Sequence, residues 1–141
     1  MQIAIEQPSE SDLDAIHRVL RETYWSRGIP RDVVARACVN SMCVIARDDH
    51  GKLIGFARVV TDKATFAWLC DVIVLPGKQG RGLGRTLVRT FLEHTELQGL
   101  RRWLLGTKDA HGVYEPLGFT PLTAPERFMQ IKNPAPYGTA S

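Results

Sequence analysis

Residues 72–86 read Val-Ile-Val-Leu-Pro-Gly-Lys-Gln-Gly-Arg-Gly-Leu-Gly-Arg-Thr, and no other stretch constrains the fold so tightly. The run belongs to a long strand over residues 65–75, apolar enough to be buried on both faces. Pro76 stops it, and glycines follow at 77, 80, 82 and 84. Leu83, Leu87, Val88, Phe91, Leu92 and Thr95 then recur at helical spacing, with Arg85, Arg89, Glu93 and Glu96 elsewhere on the surface. The first turn of a helix carries N–H groups without partners and a partial positive charge, and glycines let a ligand approach the backbone. A strand, a glycine turn and a helix start in this order make a site for phosphate groups.

The rest of the chain supplies a mixed sheet for this unit. Alternation predicts a strand over residues 2–6. Ser9 or Ser11 caps a helix marked by Leu13, Ile16, His17, Leu20 and Tyr24 and ended by Gly28, and Pro30 opens a second through Val33, Val34 and Ala37. Strands over 42–46 and 52–60 flank the turn Asp48-Asp49-His50-Gly51. Residues 103–105 read as a strand, 109–117 as a short helix ended by Gly118, and 128–131 as a last strand. The expected order is β-α-α-β-β-β-α-β-α-β, a mixed α/β, α+β-like fold with helices on both faces of one sheet.

Composition bounds the rest. The chain has 141 residues, 44% of them hydrophobic and 23% charged. That suits one domain over residues 1–132, burying about 70% of its unfolded surface. Residues 133–141, rich in Pro, Ala and Gly, read as a flexible tail. No apolar run approaches the ~20 residues of a membrane span. The start MQIAIEQPSE lacks the basic and apolar regions of a secretory leader, so the expected location is cytoplasmic. Cys38, Cys43 and Cys70 form no CxxC pair and have no His at metal spacing; they read as buried small residues, and no metal is expected. The net charge of +3, with no basic tail, excludes a nucleic-acid binder.

The spacing decides among phosphate sites. GxxxxGK[ST] is absent, and GxGxxG fails because Arg85 stands where it needs glycine. What remains is Gln79-Gly80-Arg81-Gly82-Leu83-Gly84, a Q-x-x-G-x-G turn after Val74-Leu75-Pro76. Here the sequence resembles the GCN5-related N-acetyltransferases (GNAT), which carry [Q/R]-x-x-G-x-[G/A] after such a strand end. A second block of that family, N-x-x-A-x-x-x-Y-x-x-x-G-F, is matched by Ala110, Tyr114, Gly118 and Phe119, with Thr107 in place of the Asn. The close resemblance spans residues 65–119.

The resemblance implies an acetyl-CoA-dependent N-acetyltransferase that passes an acetyl group directly to an amine acceptor. It implies that Gln79, Gly80, Arg81, Gly82, Gly84 and Arg85 hold the pyrophosphate. The backbone near Val72 and Val74 would pair with pantetheine, in a cleft where the long strand parts from the strand after Arg101. Tyr114 would protonate the departing thiolate. The general base stays open: Asp71, the long strand's one acid, stands beside His111 and ordered water, and a structural role for Asp71 is the alternative. Strand alternation puts Asp71 on one face with Leu69 and Ile73. Tyr24, Trp25 and Arg27, between the first two helices, would wall the acceptor site, with core packing of the aromatic pair as the alternative. A module of the same fold that binds acyl-CoA without turnover is the rival reading, and family members often pair as homodimers.

Overall fold

The computed structural model describes residues 1–138. One five-stranded sheet carries β1 (Gln2–Ile5), β2 (Met42–Arg47), β3 (Leu53–Thr61), β4 (Phe66–Val74) and β5 (Arg102–Leu105) in that spatial order. The first four strands pair antiparallel, and β5 joins β4 in parallel. The helices are α1 (Glu10–Leu20), α2 (Arg31–Val39), α3 (Leu83–Leu92) and the single turn α4 (His111–Tyr114). Among the described residues no helix is long and apolar enough to cross a membrane.

Two cores sandwich the sheet, one on each face. On one side Leu13, Ile16 and Leu20 of α1 and Val34 and Cys38 of α2 bury Cys43, Ile45, Phe56 and Ile73. On the other, Leu83, Leu87, Val88 and Phe91 of α3 bury Val44, Ala46, Ala57, Val59, Ala67 and Leu69. The alternation of β2 explains this, since its odd and even residues serve opposite cores. Gly55 sets how closely α3 sits, because a Cβ there would lie 3.1 Å from Leu83 Cδ2 and 3.2 Å from Leu87 Cδ1.

Helix α1 opens on a reciprocal cap. Ser9 Oγ accepts the Asp12 N–H at 3.2 Å, and Asp12 Oδ2 accepts the Ser9 N–H at 2.9 Å. Asp12 is buried and also receives two Arg47 hydrogen bonds, at 2.9 and 2.8 Å, which pin the helix start to β2. The guanidinium contact holds the Asp12 carboxyl below its ordinary value, against an opposing effect of burial.

Four expectations are corrected. First, α1 ends at Leu20 rather than running on through Tyr24. Thr23 and Ser26 hydroxyls both donate to the Leu20 carbonyl, at 2.7 and 2.8 Å, and draw the chain into turns. Second, the helix expected over 109–117 is one α-turn followed by a 3-10 turn holding Pro116. Third, no strand forms over 128–131. Phe128 stacks under the Arg102 guanidinium, 4.8 Å from its ring centroid, while Met129 and Ile131 are fully exposed, so alternation there finds no core to face. Fourth, Leu69 and Asp71 do not share a face. In the β3–β4 register Val59 faces Leu69 and Arg58 faces Asp71, leaving Cys70 as an extra residue in β4. Such a bulge resets alternation, so Leu69 joins the α3 core and Ile73 the α1–α2 core.

Candidate active site

The bulge lies where the sheet opens. β4 and β5 pair from Phe66–Arg102 to Leu69–Leu105 and no further. Beyond, Cys70, Asp71 and Val72 continue β4 against β3 alone, while the chain after β5 turns away through Gly106. A cavity of about 530 Å³ fills the gap. Its walls are the β4 edge at 69–72, the segment from Leu105 to Tyr114, the α1–α2 junction with Tyr24 and Trp25, and Trp68, Arg58 and Tyr137. The free backbone edge of β4 can pair with an extended, amide-bearing ligand arm.

Asp71 sits in this wall with both oxygens engaged. Trp25 Nε1 donates to Oδ1 at 2.8 Å and Arg58 Nε to Oδ2 at 2.8 Å. Arg58 also donates to Ser41 Oγ at 3.1 Å. The carboxylate is 7% exposed. A buried carboxylate with these two directed donors is well suited to hold Trp25 in place.

Tyr114 meets the cavity from the other side. Its ring packs edge-on against Phe119 at 5.9 Å, and no hydrogen bond to its hydroxyl is made among the described residues. Burial, and then the nearby Tyr24, push its phenol above the ordinary value. It therefore carries its proton across the neutral range. Tyr24 in turn ties the walls together: its hydroxyl accepts the Lys108 N–H at 2.9 Å, and its ring meets Trp25 edge-on at 5.1 Å. Thr107 Oγ1 accepts the Ala110 N–H at 3.0 Å and so serves the turn before α4. Cys70, on the bulge, lines the cavity rather than lying in the core, and burial pushes its thiol up, away from the nucleophilic thiolate.

The glycine turn lies past the C-terminal end of β4, outside the cavity lining. Gly80 and Gly82 have φ of 83° and 74°, and a Cβ on either would meet nothing within 4 Å. Gly82 is the N-cap of α3, with no side-chain cap on the helix's first N–H groups. Arg81 and Arg85 are exposed and make no ion pair among the described residues. Gln79 reaches back, its Nε2 donating to the Val74 carbonyl at 3.4 Å. An open, cationic, Cβ-free helix start fits a diphosphate.

The structure thus brings Val72, Asp71, Tyr114, Tyr24 and Trp25 to one cavity and sets Gln79, Gly80, Arg81, Gly82, Gly84 and Arg85 at the end of β4. Val74 packs on the α3 core instead of lining the cavity. Arg27 is exposed, outside the lining and without an ion pair among the described residues. His111 lies in a neighbouring groove beside Glu115. Among the described residues no group of three His, Cys, Asp or Glu is placed to hold a metal. Sequence reasoning passed over Arg58, Trp68, Cys70 and Tyr137. Arg58 had a signal, since a charge inside the apolar run Leu-Ile-Gly-Phe-Ala-Arg-Val-Val needs a partner and Asp71 is the one acid of the next strand.

A sheet that parts between two parallel strands, with a glycine-rich helix start at the end of one, defines an acyltransferase architecture. The chain belongs to the acetyltransferase (GNAT) family, whose model matches residues 11–119. It is 42% identical to a GNAT-family acetyltransferase structure from Xanthomonas campestris pv. campestris, over 99% of both chains, with a TM-score of 0.89. It is 31% identical to acetyltransferase FG08082 of Gibberella zeae, over 72% of this chain and 69% of that one. The fold, at 22% identity and a TM-score of 0.64, is also that of aminoglycoside N-acetyltransferase AAC(6')-Iy, solved in complex with CoA, covering 94% of this chain and 95% of that one.

Proposed function

We propose that the protein transfers an acetyl group from acetyl-CoA to a primary amine by direct attack on the thioester. The observation that carries this is the cavity between β4 and β5, where a free strand edge and the unengaged Tyr114 hydroxyl converge. Support for CoA comes from the fit of the turn at 79–85 to a diphosphate and from the CoA complex of the AAC(6')-Iy neighbour. The β4 backbone at 70–72 aligns the pantetheine arm, and a free N–H there can polarise the thioester carbonyl.

The amine nitrogen forms the new bond to the carbonyl carbon as the C–S bond breaks. Tyr114 gives its phenolic proton to the departing sulfur and recovers one from solvent. Water, rather than Asp71, accepts the amine's proton, because Asp71 is committed to its ion pair with Arg58 and to holding Trp25. Asp71 is on this reading a positioning residue for Trp25. The acceptor enters from the α1–α2 side, past Tyr24 and Trp25, since the β4 edge and the glycine turn are committed to the donor. Arg27, exposed and outside the lining, is given no role in this reading.

The test is release of free thiol from acetyl-CoA in the presence of a panel of primary amines, with acetylated product identified by mass. Saturable CoA binding with no thiol release for any amine would replace this reading with that of a binding module.

A further inference from the structure

The C-terminal segment does more than trail from the domain. After Phe128 it runs exposed through Met129 and Ile131, then returns to the molecule at a short turn. There Asn133 Oδ1 accepts the Ala135 N–H at 3.1 Å, and the Gly138 N–H donates to the Ala135 carbonyl at 3.3 Å. Pro134 and Pro136 fix two φ angles of this turn and so lower the entropy cost of holding it. Tyr137 is the one large side chain it presents. That ring is half-buried against the α1–α2 core and lines the cavity together with Tyr24 and Trp25.

The chemistry of this end of the cavity is distinct. Leu20, Ile29, Val34 and Phe56 line it beneath the three aromatics. Its buried ions, Arg58 and Asp71, neutralise each other. Asp109, exposed on the segment after β5, is the one carboxylate of the lining that makes no ion pair among the described residues. A polyamine or aminosugar brings several positive charges, and this lining offers one carboxylate not already paired, Asp109.

We infer that Tyr137 is a specificity-determining residue, closing the acceptor end of the cleft and fitting it to a monoamine on a compact aromatic or apolar body. The inference rests on the acetyltransferase reading above and adds the acceptor class and the residue that enforces it. The ring is the active feature, and its hydroxyl is incidental.

The experiment measures kcat/KM for phenethylamine and for spermidine at saturating acetyl-CoA, with the parent, Tyr137→Phe and Tyr137→Ala. CoA-induced thermal shift certifies that each variant is folded and binds the donor. The parent should prefer phenethylamine by about tenfold or more, the range that apolar pocket contacts command. Tyr137→Phe should keep that preference. Tyr137→Ala should lose most of it with the acetyl-CoA KM unchanged. Preference for spermidine, unchanged selectivity in Tyr137→Ala, or no acetylation of phenethylamine by a parent that binds CoA would overturn the inference. Absence of a CoA shift in the parent would instead strike the acetyltransferase reading itself.

Discussion

Trp25 donates its indole N–H to Asp71 at 2.8 Å, joining residues 46 positions apart and fixing a cleft wall to the central sheet. Removing Asp71 leaves Arg58 as a largely buried charge without its ion-pair partner. Asp71→Ala should therefore cost about 3–5 kcal/mol, the usual effect of breaking a buried pair from one side. Pairing it with Arg58→Met should recover much of that loss in urea melts. For Asp71→Asn, the pH–rate profile should keep its acid limb if water is the proton acceptor. Disappearance of that limb would restore Asp71 as the base.

Gly82 and Gly84 differ in what alanine does to them. At Gly82 the φ of 74° is left-handed, so Gly82→Ala should cost about 1–2 kcal/mol in strain and place a methyl where the proposed diphosphate would lie. At Gly84 a Cβ would sit 3.7 Å from Val72 Cγ1, an ordinary contact, so the fold should accept Gly84→Ala. Calorimetric melts and CoA titrations of the two variants separate strain from lost binding. Equal CoA affinity in Gly82→Ala and parent would remove the turn from the donor site.

Tyr114→Phe keeps the ring against Phe119 and deletes only the hydroxyl. General-acid assistance is worth roughly 10²–10⁴ in rate, so kcat should fall by that order with the acetyl-CoA KM unchanged. Because the phenol lies above its ordinary value, the parent's rate should decline only above about pH 10, and the variant should show no such limb. A variant as fast as the parent on a good amine would rule out the hydroxyl as the acid.

Asp12 makes stability depend on acid. Its carboxyl is held below the ordinary value by Arg47, so the folded state binds the proton less readily than the unfolded chain. The resulting stability is fully present above the unfolded value of about 3.9 and is lost as pH falls through the lower folded value. Asp12→Asn should lower stability at pH 7 by about 1.5–3 kcal/mol, the worth of hydrogen bonds to a charged group. Urea midpoints should then vary less between pH 5 and 2 in Asp12→Asn than in the parent.

The fold was legible where local pattern and burial agree. A serine cap near Ser9 or Ser11, the presence of two helices before β2, the hairpin and the strand–turn–helix at 72–86 follow from periodicity and turn residues alone, while the end of α1 does not. The last strand misled because Phe128 and Ile131 have strand propensity, yet only contact with a sheet edge makes a strand, and propensity carries no information about edges. The bulge at Cys70 was invisible for a similar reason: an extra residue exists only relative to its partner strand. That one residue decided which face Asp71 serves. Arg27 and Trp25 lie two positions apart, and only the structure shows that Trp25 turns to Asp71 while Arg27 stays in solvent.

β5 hangs from the sheet by four residue pairs on one side, Phe66–Arg102 to Leu69–Leu105, and among the described residues has no strand on the other. The segment that follows it, from Gly106 to Phe119, is anchored through that short seam, the Lys108–Tyr24 hydrogen bond and the packing of Tyr114, Leu117 and Phe119 on the α3 core. The two sides of the cleft are therefore unequal in permanence. The β4 side shares the global unfolding free energy, because it lies inside the four-stranded antiparallel block. The β5 side can detach as a smaller cooperative unit, with amide protons that exchange by sub-global opening well before those of β3. In such an opening the β4 edge would stay in place while the half that carries Tyr114 moves away from it.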